Sequence, residues 1–183
     1  MNEVLKVIKN RRSVRSYKPE QINQESIDAI IEAGIYAPTA HNDQPWHFTV
    51  IQNPEVLKHI DEVTKSEMEK SDVEWIKKMG SKPDFSVTYH APTLIIVSGR
   101  KDGMAWSVDC AAAIQNMLIA AESLKIGSVW LGLLRFLFTH KDEVQKLGIP
   151  KGYEPFYGVS FGYSEREQIK APKRNLDVVH YIQ

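Results

Sequence analysis

A single cysteine, Cys110, occurs in 183 residues. That scarcity excludes an internal disulfide and any thiolate-held zinc or iron–sulfur site, and it fits a reducing compartment. Cys110 stands among alanines and isoleucine in an apolar stretch, where a thiol behaves as a small hydrophobe. Long apolar runs are missing as well. Nothing approaches the roughly 18 consecutive apolar residues of a membrane helix, and the opening Met-Asn-Glu-Val-Leu-Lys has no apolar signal core. A cytoplasmic protein without a membrane partner is expected. Net charge is absent too: 23 basic and 23 acidic residues leave no overall field to favour nucleic acid. The histidines at 41, 47, 59, 90, 140 and 180 lack metal-ligand spacing, and no Ser/His/Asp or Cys/His arrangement stands out. Neither a metal nor a nucleophilic triad is predicted.

What is present is an ordinary globular composition, 43% hydrophobic and 25% charged, suited to one domain over residues 1–183. Against this neutral background, Lys9, Arg11, Arg12, Arg15 and Lys18 fall within ten residues that contain no acid. Phosphate is a natural partner, because the arginine fork donates paired charge-assisted hydrogen bonds and Ser13 adds an uncharged donor. The alternative is that cations just past a helix over 2–10 complement its dipole.

Along the chain, Asn23 is placed to cap a helix over 24–36 whose Ile27, Ile30, Ile31 and Gly34 share a face. This helix leads into a polar, Pro-bracketed loop, Ala-Pro-Thr-Ala-His-Asn-Asp-Gln-Pro-Trp at 37–46. A short strand is predicted over 48–52, ended by Asn53-Pro54, then one or two amphipathic helices over 55–78, broken by Gly80 and Pro83. Residues 93–98 are β-branched and apolar at successive positions, the pattern of a central strand buried on both faces. The Ala-rich stretch 104–124 reads as a buried helix, part of it against a second subunit. A strand at 128–131 follows. The run 130–138 is apolar except at Gly132 and Arg135, so it is expected to line a pocket or an interface. Thr139 and Asp142 form a capping pattern for a short helix stopping at Gly148 and Pro150, and the last strand falls within 155–163. The irregular alternation favours a three-layer α+β sandwich over a doubly wound sheet.

Five segments, in this order, resemble the nitroreductase family of flavin mononucleotide (FMN) enzymes: Arg-Arg-Ser-Val-Arg-Ser-Tyr at 11–17; the 37–46 loop continuing to Phe48; Ala-Pro-Thr-Leu-Ile-Ile-Val from Ala91; the helix Asp109 to Ala121 with its Gln115-Asn116 pair; and Gly-Ser-Val-Trp-Leu-Gly at 127–132. The ending Ala-Pro-Lys-Arg-Asn-Leu-Asp-Val-Val-His-Tyr at 171–181 extends the likeness over nearly the whole chain. The resemblance implies an α/β/α sandwich with a mixed, mainly antiparallel sheet. It also implies an intertwined homodimer whose carboxy-terminal segment reaches onto the partner, with FMN at the subunit interface. It places Arg11, Arg12, Ser13 and Arg15 at the phosphate and ribityl end, one arginine reaching the pyrimidine edge, and Lys173 and Arg174 as a second basic pair. Pro38, Thr39, Ala40 and Asn42 would approach the ring from the other subunit. Ala40 stands where relatives often carry Ser, so a hydrogen bond from that position must come from the backbone. Leu131, Gly132 and Leu133 match the segment whose amides face the ring, glycine permitting close approach. Where many relatives have an acid or Gly-Gly here, this chain continues Leu-Leu-Arg-Phe, which implies an apolar pocket.

Two residues keep two readings. Asn116 on an apolar face needs a hydrogen-bond partner, either the cofactor or a backbone carbonyl. Trp46 beside Pro45 is a core anchor unless it stacks on a ligand. The implied activity is ping-pong hydride transfer from NADH or NADPH through FMN to a nitroaromatic, a quinone or a similar planar acceptor. Arg11, Arg12 or Lys173 would stabilise charge on the reduced ring, and no catalytic acid or base is assigned. Segments 60–90 and 133–140 are the expected lid. The alternatives are another flavin reaction (dehalogenation, flavin breakdown or ene reduction) and a flavin- or anion-binding protein without turnover.

Overall fold

The run from Thr93 forms β2 (Thr93–Arg100), and its alternation sets the layers of the molecule. Leu94 and Ile96 enter one core, while Ile95 and Val97 enter another on the opposite face of the sheet. The computed structural model describes residues 2–166 and 170–183. Among them the elements run α1 (Glu3–Asn10), α2 (Gln24–Ile35), a 3₁₀ turn (Ala40–Asn42), β1 (Trp46–Ile51), α3 (Pro54–Glu69), α4 (Glu74–Gly80) and β2. Then follow α5 (Trp106–Ser123), β3 (Gly127–Leu131), a 3₁₀ helix (Gly132–Thr139), α6 (Lys141–Lys146) and β4 (Tyr153–Gly162).

The strands are ordered β1-β2-β4-β3, and every pairing between them is antiparallel. The parallel component expected of a mixed sheet is confined, among the described residues, to an isolated bridge between Ser13 and Ser128. Helices α2 and α5 cover one face through Ile27, Ile30, Ile114 and Met117, meeting Val159 and Phe161 of β4. Helices α3 and α4 cover the other through Leu57, Ile60, Met68 and Ile76. A three-layer α+β sandwich results.

Local chemistry explains most boundaries. The Asn23 carboxamide accepts from Ser26 N at 2.8 Å, and Asn53 accepts from Glu55 N at 2.9 Å with Pro54 opening α3. At Gly99 a Cβ would lie 2.3 Å from Trp106 Cε3, so glycine is what lets the first turn of α5 close on β2. The apolar run after β3 is a 3₁₀ helix whose Leu134 and Leu137 are buried in the same core as α3 and α4. Thr139 does not cap α6. Its hydroxyl donates back to Phe136 O at 2.8 Å, and the cap position falls to His140, which makes no capping bond.

Two reciprocal His–Glu contacts tie α3 to the α6 region: His59 to Glu143 at 2.7 Å and His140 to Glu67 at 2.8 Å. Hydrogen bonds from Lys70 and then His140 hold the Glu67 carboxyl below its ordinary value, and Lys146 and then His59 do the same for Glu143. A carboxyl with a lowered folded pKa contributes stability that is present above its unfolded value, near pH 4, and is lost as pH falls through the folded one. The thermal midpoint is therefore expected to drop on acidification from about pH 6 to pH 2. The Glu67→Gln/Glu143→Gln variant should show a shallower drop in calorimetry across that range; identical slopes would remove these pairs from the acid response. Among the described residues, no helix is long and apolar enough to cross a membrane.

Candidate functional site

The basic segment leaves α1 as an extended loop beside the edge strand β3. Val14 N donates to Ser128 O at 3.0 Å, and Lys18 N donates to Tyr163 O at 2.8 Å just past β4. Its cations divide by role. Arg12 turns back on the helix end, donating to Lys9 O at 2.8 Å and Arg11 O at 2.7 Å, the capping role a cation there can play. Arg11 and Arg12 also lie near Glu122 of α5, whose carboxyl is raised chiefly by burial and lowered in part by their charge. Arg15 is exposed, and neither it nor Arg11 forms an ion pair with a described residue. Arg100 contrasts with them, being bridged to both Asp43 and Asp102.

Beside the loop lies a cavity of about 200 Å³ lined by Ser13, Val14, Arg15, Ser16, Ser164 and Arg166. Apart from valine, its side chains are three hydroxyls and two guanidiniums, with no carboxylate in the lining. The Ser16 hydroxyl donates to Glu165 and the Ser164 hydroxyl to Arg166 O at 2.8 Å, so the donors left to face an anion are the two guanidiniums and the Ser13 hydroxyl. At the far end of β3 stand Leu131, Gly132 and Leu133. Leu131 is buried, Gly132 is exposed, and a Cβ built on Gly132 would meet nothing within 4 Å. From Ser128 to Leu131 the strand rises about 10 Å. The basic loop and the open glycine thus mark the two ends of an elongated strip along one sheet edge.

The Pro38 loop lies elsewhere. It precedes β1, the opposite edge strand, and is held at the end of β2 by Arg100 N donating to Pro45 O at 2.8 Å and by the Arg100–Asp43 pair. Three of its non-glycine residues have left-handed backbone: His41 (φ 52°), Asn42 (φ 57°) and Gln44 (φ 44°). Such strain persists only where surroundings over-determine it, and it concentrates at functional sites. Here the restraints are Gln44 N to Thr39 Oγ at 3.3 Å, the Gln44 amide to Asn42 Oδ1 at 3.0 Å, and Ala40 N to Asp109 Oδ1 at 3.3 Å. The last bond commits the Ala40 N–H. Asp109 is only 4% exposed, and its other carboxylate oxygen has no partner among the described residues. Within one chain, the Pro38 loop and the basic loop therefore sit at opposite edges of the sheet and share no site.

The family model of the nitroreductase family matches residues 8–163. The chain belongs to the nitroreductase family. It is 36% identical to an Archaeoglobus fulgidus protein bearing the provisional name NADH dehydrogenase/NAD(P)H nitroreductase, over 98% of both chains. It is 28% identical to an FMN reductase [NAD(P)H] of Bacillus subtilis, over 99% of this chain and 74% of the relative. A crystal structure of a Bacteroides fragilis nitroreductase with bound FMN superposes with a TM-score of 0.91 at 35% identity, covering 100% of each chain.

In this family member the half-buried Asn116 amide donates to Ala33 O of α2 at 3.0 Å, the backbone partner of its two readings. Trp46 packs with Phe48 on the α2/α5 core, their centroids 6.5 Å apart. Cys110 is fully buried, and burial, helped by the neighbouring Asp109 charge, pushes its thiol up to about 12. Lys173 and Arg174 are exposed and form no ion pair or hydrogen bond with a described residue. The expected lid segments are α3, α4 and the 3₁₀ helix, packed on one another. Sequence reasoning missed Arg166, Ser164 and Asp109. The first two reach the basic loop through the Tyr17–Ser164 bridge and Glu165 N donating to Ser16 O, pairings without a local signal. Asp109 was legible only as an acid in an apolar helix.

Proposed function

We propose that the protein is an FMN-dependent oxidoreductase that takes hydride from NADH or NADPH and reduces a planar acceptor such as a nitroaromatic or a quinone. The observation that carries this reading is the cavity in which the Arg15 and Arg166 guanidiniums and the Ser13 hydroxyl are the available donors, set at one end of an edge strand whose other end is an open glycine. The donor set fits a dianionic phosphate, and the open side of Gly132 fits the close approach of a flat ring, so the residues present suit FMN.

When bound, FMN supplies the hydride chemistry. The protein's own residues bind and orient. Arg15, Arg166 and Ser13 hold the phosphate. Leu131, Gly132 and Leu133 form an apolar backbone wall that excludes water from one side of the ring. Arg11, Arg12 or Lys173 would supply positive charge to the bound group, and Lys173 and Arg174 would complete the phosphate clamp. Pro38, Thr39 and Asn42 reach the same ring from a second subunit, since their own chain holds them at the opposite sheet edge. A homodimer is supported by two apolar surfaces left uncovered. Helix α1 buries no residue and exposes Val4, Leu5 and Ile8, and the tail exposes Leu176, Val178, Val179, Tyr181 and Ile182.

The test is a visible absorbance spectrum of the purified protein before and after anaerobic NADH or NADPH. Flavin bands that bleach are expected. Bands that persist with both nucleotides would point to binding without this turnover, and absence of flavin after FMN is added would overturn the reading.

A further inference from the structure

The apolar run that ends β3 and forms the 3₁₀ helix holds one charge. Between Gly127 and Thr139 the chain has no acid and a single cation, Arg135. A 3₁₀ helix turns once every three residues, so side chains at i and i+3 eclipse one another. Burial along Gly132–Thr139 follows that period. Leu134 and Leu137 form a buried stripe, Leu133 and Phe136 a half-buried one, and Gly132 and Arg135 an exposed one, which Phe138 continues half-buried. Arg135 therefore stands one turn, about 6 Å, beyond the open glycine and on the same side of the helix.

A neighbouring ring braces the guanidinium. It lies 5.3 Å from the centroid of Phe136, which packs on the core shared with α3 and α4. The arginine thus leans over the stripe that begins at Leu133, and contact with an aromatic face leaves its N–H groups free to donate. Arg135 forms no ion pair or hydrogen bond with a described residue. Two carboxylates of α3 and α6, the helices packed against this segment, have other partners: Glu67 accepts from Lys70 and His140, and Glu143 from Lys146 and His59. An uncommitted cation is left at the rim of an apolar wall whose Leu131 and Leu133 side chains offer a flat ligand contact and no charge.

We propose that Arg135 is a specificity-determining residue of the acceptor site: it binds a carboxylate carried by the planar acceptor, whose ring lies beside Gly132. This rests on the FMN reading above, which sets the flavin against that glycine. A guanidinium suits the task because its planar fork donates two parallel bonds to a carboxylate, and a neutral acceptor of the same shape forgoes them.

The test uses flavin-loaded protein and two acceptors that differ in charge, para-nitrobenzoate and para-nitrobenzamide, with wild type, Arg135→Gln and Arg135→Lys. One exposed ion pair predicts about a 2- to 5-fold loss of kcat/KM for para-nitrobenzoate in Arg135→Gln, carried by KM. Para-nitrobenzamide should be unaffected, and Arg135→Lys should keep part of the preference. Raising salt from about 20 mM to about 500 mM should shrink the preference in wild type and leave Arg135→Gln unmoved. Binding of the unreactive pair benzoate and benzamide, read from the bound flavin's absorbance, should repeat the pattern without turnover. Unchanged kcat/KM for para-nitrobenzoate, an equal loss for both acceptors, or a loss confined to the KM of NADH or NADPH, whose phosphates are the competing anions, would each overturn the proposal. Wild type without flavin bands after FMN is added would overturn the flavin reading and this proposal with it, and the spectrum alone tells that failure apart.

Discussion

Replacing Arg11 and Arg15 together by alanine is expected to strip FMN from the purified protein. Hydrogen bonds to charged groups contribute about 1.5–3 kcal/mol each, so losing both cations should weaken binding by about a hundredfold or more. Neither side chain forms an ion pair with a described residue, and Arg15 is exposed with only a ring contact to Tyr89, so the thermal midpoint should stay close to that of the wild-type apoprotein. The measurement is the flavin-to-protein absorbance ratio after purification, followed by titration with FMN. Full flavin retention in the double variant would remove these arginines from the site. Arg12 is left in place because its guanidinium serves the end of α1, and its loss would mix helix fraying with ligand loss.

Deleting residues 171–183 is expected to cost both association and flavin. The tail carries Leu176 at 86%, Tyr181 at 78% and Ile182 at 92% exposure, an apolar content that the described residues leave uncovered. Burying five such side chains contributes on the order of 10 kcal/mol before ordering costs, comparable with the loss of freedom on association. On that arithmetic burial of the tail only offsets the cost of association, so removing it should tip the balance toward monomer. The same deletion removes Lys173 and Arg174. Size exclusion with absorbance detection reads both effects at once. A truncated protein that remains dimeric and yellow would assign dimer formation to α1 and α5 and dismiss the basic pair.

How much of this was legible in the sequence depends on how local the cause is. Asn23 announces α2 because a cap is a contact between a residue and the next three, whereas Asn53, which caps α3, was read only as the end of a strand. The β2 run was legible because burial on both faces leaves no polar alternation to conceal. By contrast β1 begins at Trp46, two residues before the expected start, because pairing with Gly99 decides its end. Thr139 looked like a cap, but its hydroxyl found a carbonyl within its own 3₁₀ helix. The basic cluster was visible as charge. Its division into one capping arginine and two others was not, since both roles require the same residue type. Arg166 meets the loop only through tertiary pairing, which leaves no local signal.

The isolated bridge between Ser13 and Ser128 has a second effect. Strand β3 is an edge, and an uncovered edge offers its backbone to any passing chain. The segment that blocks its first residues is the basic loop itself, so the element proposed to hold an anion also guards the sheet against intermolecular pairing. On that proposal sequence change in the loop is constrained twice, because a version that let go of β3 would also bare the strand's edge.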